Sequence, residues 1–331
     1  MTAGLIGFFV VSISGLASAQ TFEGLGREPG QTVSRATDLS TDGLCVVGDS
    51  SPNISTGGRA WRWRSTTGFE SLGVELARVD RTNDTGSAIV GVGLGFPRFY
   101  WREGQPTQSV PLPGPNLQEG LGISGDGITV IGNSNSGGYR AAKWTQAGGT
   151  VLLPSPPPAP NLVSLAGPSF AFGVNQDASV IAGANAFRYT TDPIIVERIG
   201  VTRWTPAGGE FITNAIGNPI EGNGIDTSSD GGTILILNGS NVSRWTQAAG
   251  LQVASGLPYD LGLAVPRISG DGSTIISYDK MWTQGRGALP ITQVLTEAGC
   301  TFPGWTNLVA TGIDFNATHL CGYATNPTGQ T

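Results

Sequence analysis

The stretch Ile123-Ser124-Gly125-Asp126-Gly127-Ile128-Thr129-Val130-Ile131-Gly132 decides the fold, because variants of it recur along most of the chain. A short polar residue followed by aspartate and glycine favours a tight turn, and the β-branched run after it favours a strand. Seven copies can be aligned, and they begin at residues 39, 82, 123, 174, 227, 268 and 313. Self-similarity at intervals of about forty residues indicates a repeat architecture.

The residue four places after the aspartate position is aliphatic in every copy. These residues are Val46, Ile89, Val130, Ile181, Ile234, Ile275 and Leu320. A turn followed at a fixed distance by an apolar strand residue is typical of a β-hairpin.

Six copies continue into a strand that carries tryptophan. The tryptophans are Trp63, Trp101, Trp144, Trp204, Trp245 and Trp282. A glycine turn and a short apolar strand such as Phe69 to Gly73 then close the unit. Four short strands per repeat predict an all-β, seven-bladed β-propeller of four-stranded blades. We expect the tryptophans to fill the wedges between blades; the alternative is that they form exposed platforms for a ligand.

The motifs in Leu39 to Gly48, Ala60 to Arg64 and Leu72-Gly73 resemble those of the HAF-repeat family of extracellular bacterial repeat proteins. The resemblance covers nearly the whole chain after residue 20. It implies an exported propeller that is secreted, at the cell surface or in the periplasm, and it implies no particular activity.

The N-terminus has the pattern of a signal peptide over residues 1–19. An apolar run from Leu5 to Leu16 leads to Ala17-Ser18-Ala19, which is the small-x-small sequence that signal peptidases accept. A membrane anchor is the alternative, but the run is short for a spanning helix. We therefore predict that residues 1–19 lie outside the fold and that residues 20–331 form a single propeller domain.

The two ends of that domain are predicted to meet in the last blade. Phe22 to Gly26 nearly duplicates the closing strand Phe69 to Gly73 and has no blade in front of it. We expect it to complete the seventh blade and to leave the ring without a free edge. No tryptophan-bearing strand follows Tyr323, so we expect this blade to be incomplete or the chain to be truncated.

Composition narrows the possible partners. The net charge of −6 gives no basic footprint for nucleic acid. No segment after the N-terminal run is apolar enough to predict a membrane span. We expect a monomer with no cofactor.

The sequence offers little catalytic chemistry. His319 is the only histidine and lies within a predicted strand, so a structural hydrogen bond is expected for it. No Ser-His-Asp set, metal-binding motif or phosphate-binding loop can be assembled. Each turn supplies one aspartate, which favours turn capping over a calcium loop. These observations weigh against an enzyme.

Three cysteines occur, which suits one disulfide bond in an oxidising compartment. We predict that Cys300 pairs with Cys321, because the loop and the strand end that carry them are expected on the same face of the disc. Cys45 is then a buried free thiol.

Two insertions, residues 154–168 and 184–201, interrupt the repeat in the fourth blade and are expected on one face of it. Loops on repeat scaffolds often carry function. The candidate ligand-contacting residues there are Arg188, Tyr189, Asp192, Glu197 and Arg198. The favoured function is a binding or scaffold module for an extracellular protein or glycan. The alternatives are a carbohydrate-active hydrolase or lyase and a purely structural envelope or matrix protein.

Overall fold

The computed structural model describes residues 7–12, 21–52, 58–93, 96–112, 122–134, 139–158, 161–193, 196–258 and 265–327. Their regular structure is almost entirely β. The first two strands are β1 (Gly7–Ser12) and β2 (Thr21–Gly24). The next six units, blades 1 to 6, each use four consecutive strands.

Blade 1 contains β3 (Val33–Leu39), β4 (Cys45–Ser51), β5 (Arg59–Arg64) and β6 (Gly68–Ser71). Blade 2 contains β7 (Arg78–Thr82), β8 (Ala88–Gly93), β9 (Phe96–Arg102) and β10 (Gln108–Ser109). Blade 3 contains β11 (Gly122–Ile123), β12 (Thr129–Ser134), β13 (Arg140–Thr145) and β14 (Gly149–Leu152).

Blade 4 contains β15 (Leu162–Val174), β16 (Ile181–Tyr189), β17 (Arg198–Thr205) and β18 (Gly208–Phe211). Blade 5 contains β19 (Asn223–Thr227), β20 (Thr233–Asn238), β21 (Asn241–Thr246) and β22 (Gly250–Val253). Blade 6 contains β23 (Arg267–Ile268), β24 (Thr274–Ser277), β25 (Lys280–Thr283) and β26 (Gly287–Pro290). Helix α1 (Ile291–Glu297), β27 (Thr306–Ile313) and β28 (His319–Thr325) follow.

The closing sheet joins the two ends of the chain, in the order β27, β28, β1, β2. With blades 1 to 6 it makes seven four-stranded antiparallel sheets among the described residues. The inner strand of each sheet contacts the inner strand of the next, and β27 of the closing blade contacts β3 of blade 1. An all-β propeller with four-stranded blades is therefore confirmed.

A circle of backbone hydrogen bonds joins the turns of neighbouring blades. In each turn an N–H group donates to a carbonyl of the following turn, with N···O distances from 2.7 to 3.2 Å. The donor and acceptor pairs are Thr41 and Asp84, Asp84 and Gly125, Asp126 and Gln176, Gln176 and Ser229, Ser229 and Gly270, Asp271 and Phe315, and Phe315 and Thr41. The last pair returns to the first turn, so the ring is closed by its backbone as well as by its core.

The repeated Ser-x-Asp sequence works as the predicted turn cap. In blade 3 the Ser124 hydroxyl donates to the Asp126 carboxylate at 2.6 Å and accepts the N–H of Thr129 at 3.0 Å. The same carboxylate accepts the N–H of Ile128 at 2.9 Å. Blades 1, 5 and 6 repeat these contacts. The aspartates therefore hold the hairpins through local hydrogen bonds.

The tryptophans on the third strands pack between blades. Each pairs in register with the aliphatic residue singled out in the motif, as Ile234 does with Trp245. Trp245 is 7% exposed and lies in one cluster with Val201 and Ile212 of blade 4. Trp101, Trp144, Trp204 and Trp282 are similarly buried against the blade that precedes them. The wedge-filling role is confirmed for these tryptophans.

In blades 1 and 5 the arginine before the tryptophan links the blade to the next one. The guanidinium of Arg62 lies 4.8 Å from the ring centroid of Trp101, and Arg244 lies 5.4 Å from that of Trp282. Each of these arginines also donates to the carbonyl of the next turn glycine, Gly86 or Gly272. A cation–π contact and a hydrogen bond therefore join the third strand of one blade to the tryptophan and the turn of the next.

The closing blade lacks this tryptophan, and a different group fills its wedge. Val11 of β1 takes the register position opposite Leu320 that tryptophan takes elsewhere. The space towards blade 6 is filled by the apolar face of α1 with Phe22, Phe302 and Trp305. Helix α1 therefore fills the space between blade 6 and the closing blade that a tryptophan fills between other blades.

The expectation that residues 1–19 lie outside the fold is corrected for Gly7–Ser12. This segment pairs with β28 on one side and with β2 on the other. Without it, β28 would present a row of unpaired N–H and C=O groups, which an apolar, β-prone segment can satisfy. β2 forms the outer strand of the sheet, as its duplicate sequence predicts. The signal peptide stays a prediction, and Ala17-Ser18-Ala19 lies outside the described residues.

We expect Gly272→Ala to destabilise the ring more than Gly149→Ala does. Both glycines have positive φ, +73° and +66°. A Cβ at Gly272 would lie 2.5 Å from Oγ1 of Thr233 in the preceding blade, whereas a Cβ at Gly149 has open space. Backbone strain alone costs about 1 kcal/mol, and the clash should add about 2 kcal/mol. Urea unfolding of both variants measures the difference, and equal losses would show that the interblade contact at Gly272 is unimportant.

Candidate functional site

The central channel carries one recurring position from every blade, the residue directly before the turn motif. These residues are Asp38, Arg81, Gly122, Gly173, Asp226, Arg267 and Gly312. In five of the inner strands a break in register immediately precedes the position, as expected of a β-bulge. The glycines allow close approach: a Cβ at Gly173 would lie 2.7 Å from the Cα of Asp226. The channel position is thus a charged residue in four blades and glycine in three.

An ion pair spans the channel. Nη2 of Arg81 in blade 2 lies 3.3 Å from Oδ1 of Asp226 in blade 5. The second oxygen of Asp226 accepts the backbone N–H of Ile268 in blade 6 at 3.2 Å. Asp226 therefore joins three blades with a single carboxylate.

Asp38 makes the matching contact on the other side of the ring. Its Oδ2 accepts the N–H of Thr82 in blade 2 at 3.0 Å. Burial raises the pKa of Asp38, while the nearby charges of Arg81 and Arg267 act in the opposite direction. The carboxylates of Asp38 and Asp226 are thus both hydrogen-bonded to the backbone of the following blade. Their role in these contacts is structural.

Arg267 is the channel group with unused hydrogen-bonding capacity. Its Nε is buried and has no hydrogen-bond partner within the described part of the chain. Burial, and next the charge of Arg81, lower its pKa to about 10, so it stays charged at neutral pH. The channel also contains a cavity of about 110 Å³ that is lined by Asp38, Arg81, Asp226 and Phe172 among others. Pockets for small-molecule ligands usually exceed about 300 Å³, so this space suits water or a small ion.

The predicted insertions of blade 4 are strands for much of their length, which corrects their description as loops. Leu162 pairs with Tyr189, and Phe187 pairs with Arg198, so three neighbouring strands continue together past the end of the repeat. Phe187 is fully buried against Tyr189 and Phe211 at ring distances of 5.5 and 5.4 Å. This aromatic anchor lets the sheet continue beyond the repeat. Residues 159–160 and 194–195 lie outside the described residues.

Three of the five predicted ligand-contacting residues come together on this extension. The guanidinium of Arg198 lies 5.4 Å from the ring centroid of Tyr189 and donates to Asp192 at 3.1 Å. It also donates to Glu221 at 2.8 Å. The hydrogen bond from Arg198 holds the pKa of Asp192 below its usual range.

The other two predicted residues are not drawn into this group. Arg188 is paired in register with Val163, and Glu197 is exposed. Within the described ranges, neither side chain forms a hydrogen bond or an ion pair. Glu221 belongs to the group but was missed in the sequence, because it lies beyond both insertions and reaches them only through folding.

A second feature missed in the sequence is an aromatic row between blades 3 and 4. The rings of Tyr139 and Phe170 lie 6.1 Å apart, and those of Phe170 and Phe172 are stacked at 6.0 Å. The N–H of Ser169 donates to the carbonyl of Tyr139 at 2.8 Å and holds the two blades in place. Tyr139 is 39% exposed, so the row reaches the surface at the end of the ring that carries the blade 4 extension. We call Tyr139, Phe170, Tyr189, Asp192 and Arg198 the extension face.

His319 has the expected structural role. Its Nδ1 lies 2.7 Å from Oδ2 of Asp314, which occupies the serine position of the closing turn. Among the described residues no three His, Cys, Asp or Glu side chains gather as metal ligands. In the same residues, no helix has the length and apolar character that crossing a membrane requires.

The predicted disulfide bond is not formed. Cys45, Cys300 and Cys321 are all buried free thiols. Cys300 lies in the cluster between blade 6 and the closing blade, whereas Cys321 lies in the cluster between the closing blade and blade 1. Successive strand residues face opposite sides of a sheet, so Leu320 faces Cys300's cluster and Cys321 faces away from it.

Comparisons with known proteins bear on the fold alone. No family model and no curated protein matches the chain. Among solved structures, a TolB-like protein from Agrobacterium tumefaciens is 12% identical, with a TM-score of 0.42, over 98% of this chain and 99% of that one. The Cps50 (Swd1) β-propeller domain of Myceliophteria thermophila is 10% identical, with a TM-score of 0.46, over 87% of this chain and 96% of that one. An oligogalacturonate lyase in complex with manganese is 11% identical, with a TM-score of 0.40, over 99% of both chains.

We expect Arg81→Met to cost about 3 kcal/mol of unfolding free energy, because it leaves the Asp226 carboxylate partly buried without its cation. Adding Asp226→Asn to Arg81→Met should recover part of the loss, since a neutral amide needs no counter-charge. Denaturant unfolding of both single variants and the double variant measures the coupling. Additive losses would show that the two side chains do not interact across the channel.

We expect all three thiols to resist alkylation in the folded protein. Burial raises the pKa of Cys45 to about 11 and also raises the pKa of Cys300 and Cys321. At pH 8 about one Cys45 side chain in a thousand is then thiolate, which is the reactive form. Iodoacetamide labelling under non-reducing conditions, followed by intact-mass measurement, should give three adducts only after unfolding. A protein that takes up one adduct or none in denaturant would instead contain a disulfide bond.

Proposed function

We propose that this protein is an exported binding module of the HAF-repeat type that holds an extracellular glycan or protein on its extension face. The strands of blade 4 are the observation that carries this proposal. They extend past the length that the repeat needs and carry side chains fixed by aromatic and ionic contacts. A rigid surface loses little conformational entropy on binding.

The composition of the extension face suits recognition. Tyr139 is a partly exposed ring that is backed by Phe170, and aromatic rings offer large contact areas at low entropic cost. Arg198 is fixed by Tyr189 and Asp192 while about a third of its side chain stays exposed. A glycan can stack on the ring of Tyr139 or accept hydrogen bonds from the guanidinium of Arg198.

Catalysis is less well supported than binding. A hydrolase or lyase needs an acid and a base that are free to exchange protons with the substrate. In the channel, Asp226 is paired with Arg81, and both Asp226 and Asp38 accept backbone N–H groups. The cavity beside them is also small.

Two features of the sequence that predict export also support a binding role outside the cytoplasm. The N-terminal apolar run and the small-x-small sequence predict passage across a membrane, and the repeat motif resembles that of extracellular proteins. An exported ring of blades whose outward loops differ from blade to blade is a suitable scaffold for recognition.

We expect Tyr139→Ala to weaken glycan binding at least tenfold, because it removes the exposed ring of the extension face. The wild-type protein is first screened on a glycan array, and the dissociation constant of the best ligand is then measured for each variant. Arg198→Ala should also weaken binding.

Phe315→Ala is the matched control for this experiment. Phe315 is an aromatic residue that is 46% exposed at the opposite end of the ring, where the turns lie. Its replacement should leave binding unchanged. If Phe315→Ala weakens binding as much as Tyr139→Ala does, or if no glycan binds, the glycan-binding role of the extension face is wrong.

A further inference from the structure

The turns of the blades surround one end of the central channel. In each turn the carbonyl of the middle residue accepts a hydrogen bond from the turn before it, and we call these seven residues the turn ring: Thr41, Asp84, Gly125, Gln176, Ser229, Gly270 and Phe315. All of them except Phe315 line the channel cavity of about 110 Å³. Each is at least partly exposed, so the cavity reaches solvent at this end of the channel.

The cavity is acidic. Its lining includes four carboxyl groups and one guanidinium, on Asp38, Asp84, Asp226, Asp314 and Arg81. Asp226 is paired with Arg81, and Asp38 is hydrogen-bonded to the backbone of the next blade. Oδ2 of Asp314 lies 2.7 Å from Nδ1 of His319. Three of the four carboxyl groups therefore have a fixed partner.

The fourth carboxyl group, on Asp84, forms no ion pair within the described part of the chain. Its two oxygens lie over Gly125, where a Cβ would be 2.4 Å from Oδ2 and 2.6 Å from Oδ1. Burial raises the pKa of Asp84, and hydrogen bonding with the side chains of Thr41 and Gln176 lowers it. The nearby charges of two other aspartates raise it again. A partly buried carboxylate whose charged neighbours are also negative is stabilised by a bound cation.

The groups around Asp84 favour an ammonium group over a metal ion. In the described ranges, three His, Cys, Asp or Glu side chains do not come together in a way that could hold a metal. The hydroxyl groups of Thr41 and Ser229 and the amide of Gln176 line the same cavity. A primary ammonium group has three N–H donors, which one carboxylate and neutral oxygens can accept. The volume is small for a whole drug-sized ligand and suits the end of a single alkyl chain.

We propose that the turn end of the channel binds a primary ammonium group, which donates to the Asp84 carboxylate and to the side-chain oxygens of the turn ring. The group is carried by a small alkylamine or by a lysine side chain, which share this chemistry. The extension face lies where β15 begins, whereas the turn of blade 4 follows the end of β15. The ammonium site is therefore separate from the proposed binding face and does not depend on it.

Titration calorimetry on the full chain tests the proposal with two probes, butylamine and an N-acetylated tripeptide with lysine at its centre. The matched ligand has norleucine in place of lysine, because norleucine keeps the alkyl chain without the charge. We expect both probes to bind and the norleucine peptide to bind about tenfold more weakly, since a hydrogen bond to a charged group contributes about that factor. The tighter of the two probes shows whether the source is a free amine or a protein.

The Asp84→Asn variant should bind both probes about tenfold more weakly than the wild type does. Asp279→Asn is the matched control, because Asp279 is exposed in the hairpin after β24, at the other end of blade 6, and its replacement should leave binding unchanged. Asp84→Asn should also unfold at a temperature no lower than the wild type does, since a neutral amide removes the cost of a partly buried charge. Thermal unfolding thus separates a lost site from a lost fold.

Four results would overturn the proposal. Asp84→Asn binds the probes as tightly as the wild type, or neither probe binds the wild type. The norleucine peptide or tetramethylammonium, which has no N–H donor, binds as tightly as the primary amines. Asp84→Asn unfolds at a lower temperature than the wild type, which would mean that the charge of Asp84 is needed by the fold itself.

Discussion

The structure depends on the inability of any one blade to cover its own two faces. A four-stranded sheet of this size exposes apolar side chains on both sides, so each blade is stable only between two others. The wedge between neighbours widens outward, and a tryptophan from the following blade fills it in five of the interfaces, as Trp245 does between blades 4 and 5. The turn glycines let adjacent turns approach closely, and the circle of backbone hydrogen bonds fixes the spacing. Removing one contact therefore affects two blades.

The ring must also be closed, because each blade needs a neighbouring blade on both of its faces. Strands from both termini form the closing blade, and helix α1 fills the wedge that has no tryptophan. The closing blade is consequently the least repetitive part of the molecule. It is also the part where one strand is supplied from a distant segment of the chain.

The charged side chains of the channel hold different blades together. Arg81 and Asp226 join blades that are far apart in the chain, and Asp38 and Asp226 each accept a backbone N–H from the next blade. Such contacts occupy the carboxylates that a catalytic interpretation would need. The surface proposed to bind a partner lies on blade 4 instead, where Phe187 packs among three lengthened strands.

The sequence by itself determined the repeat, the turn chemistry and the role of the tryptophans, because these depend on residues close together in the chain and recur in phase. It also placed Tyr189, Asp192 and Arg198 in one insertion, residues 184–201. Only the tertiary structure decided that these insertions are strands, that Glu221 joins them, and that Cys300 and Cys321 face opposite sides of one blade. It likewise decided the pairing of Gly7–Ser12 and of Arg81 with Asp226. Contacts of this kind join residues far apart in the chain, and they follow from how the blades meet around the ring, which no local pattern records.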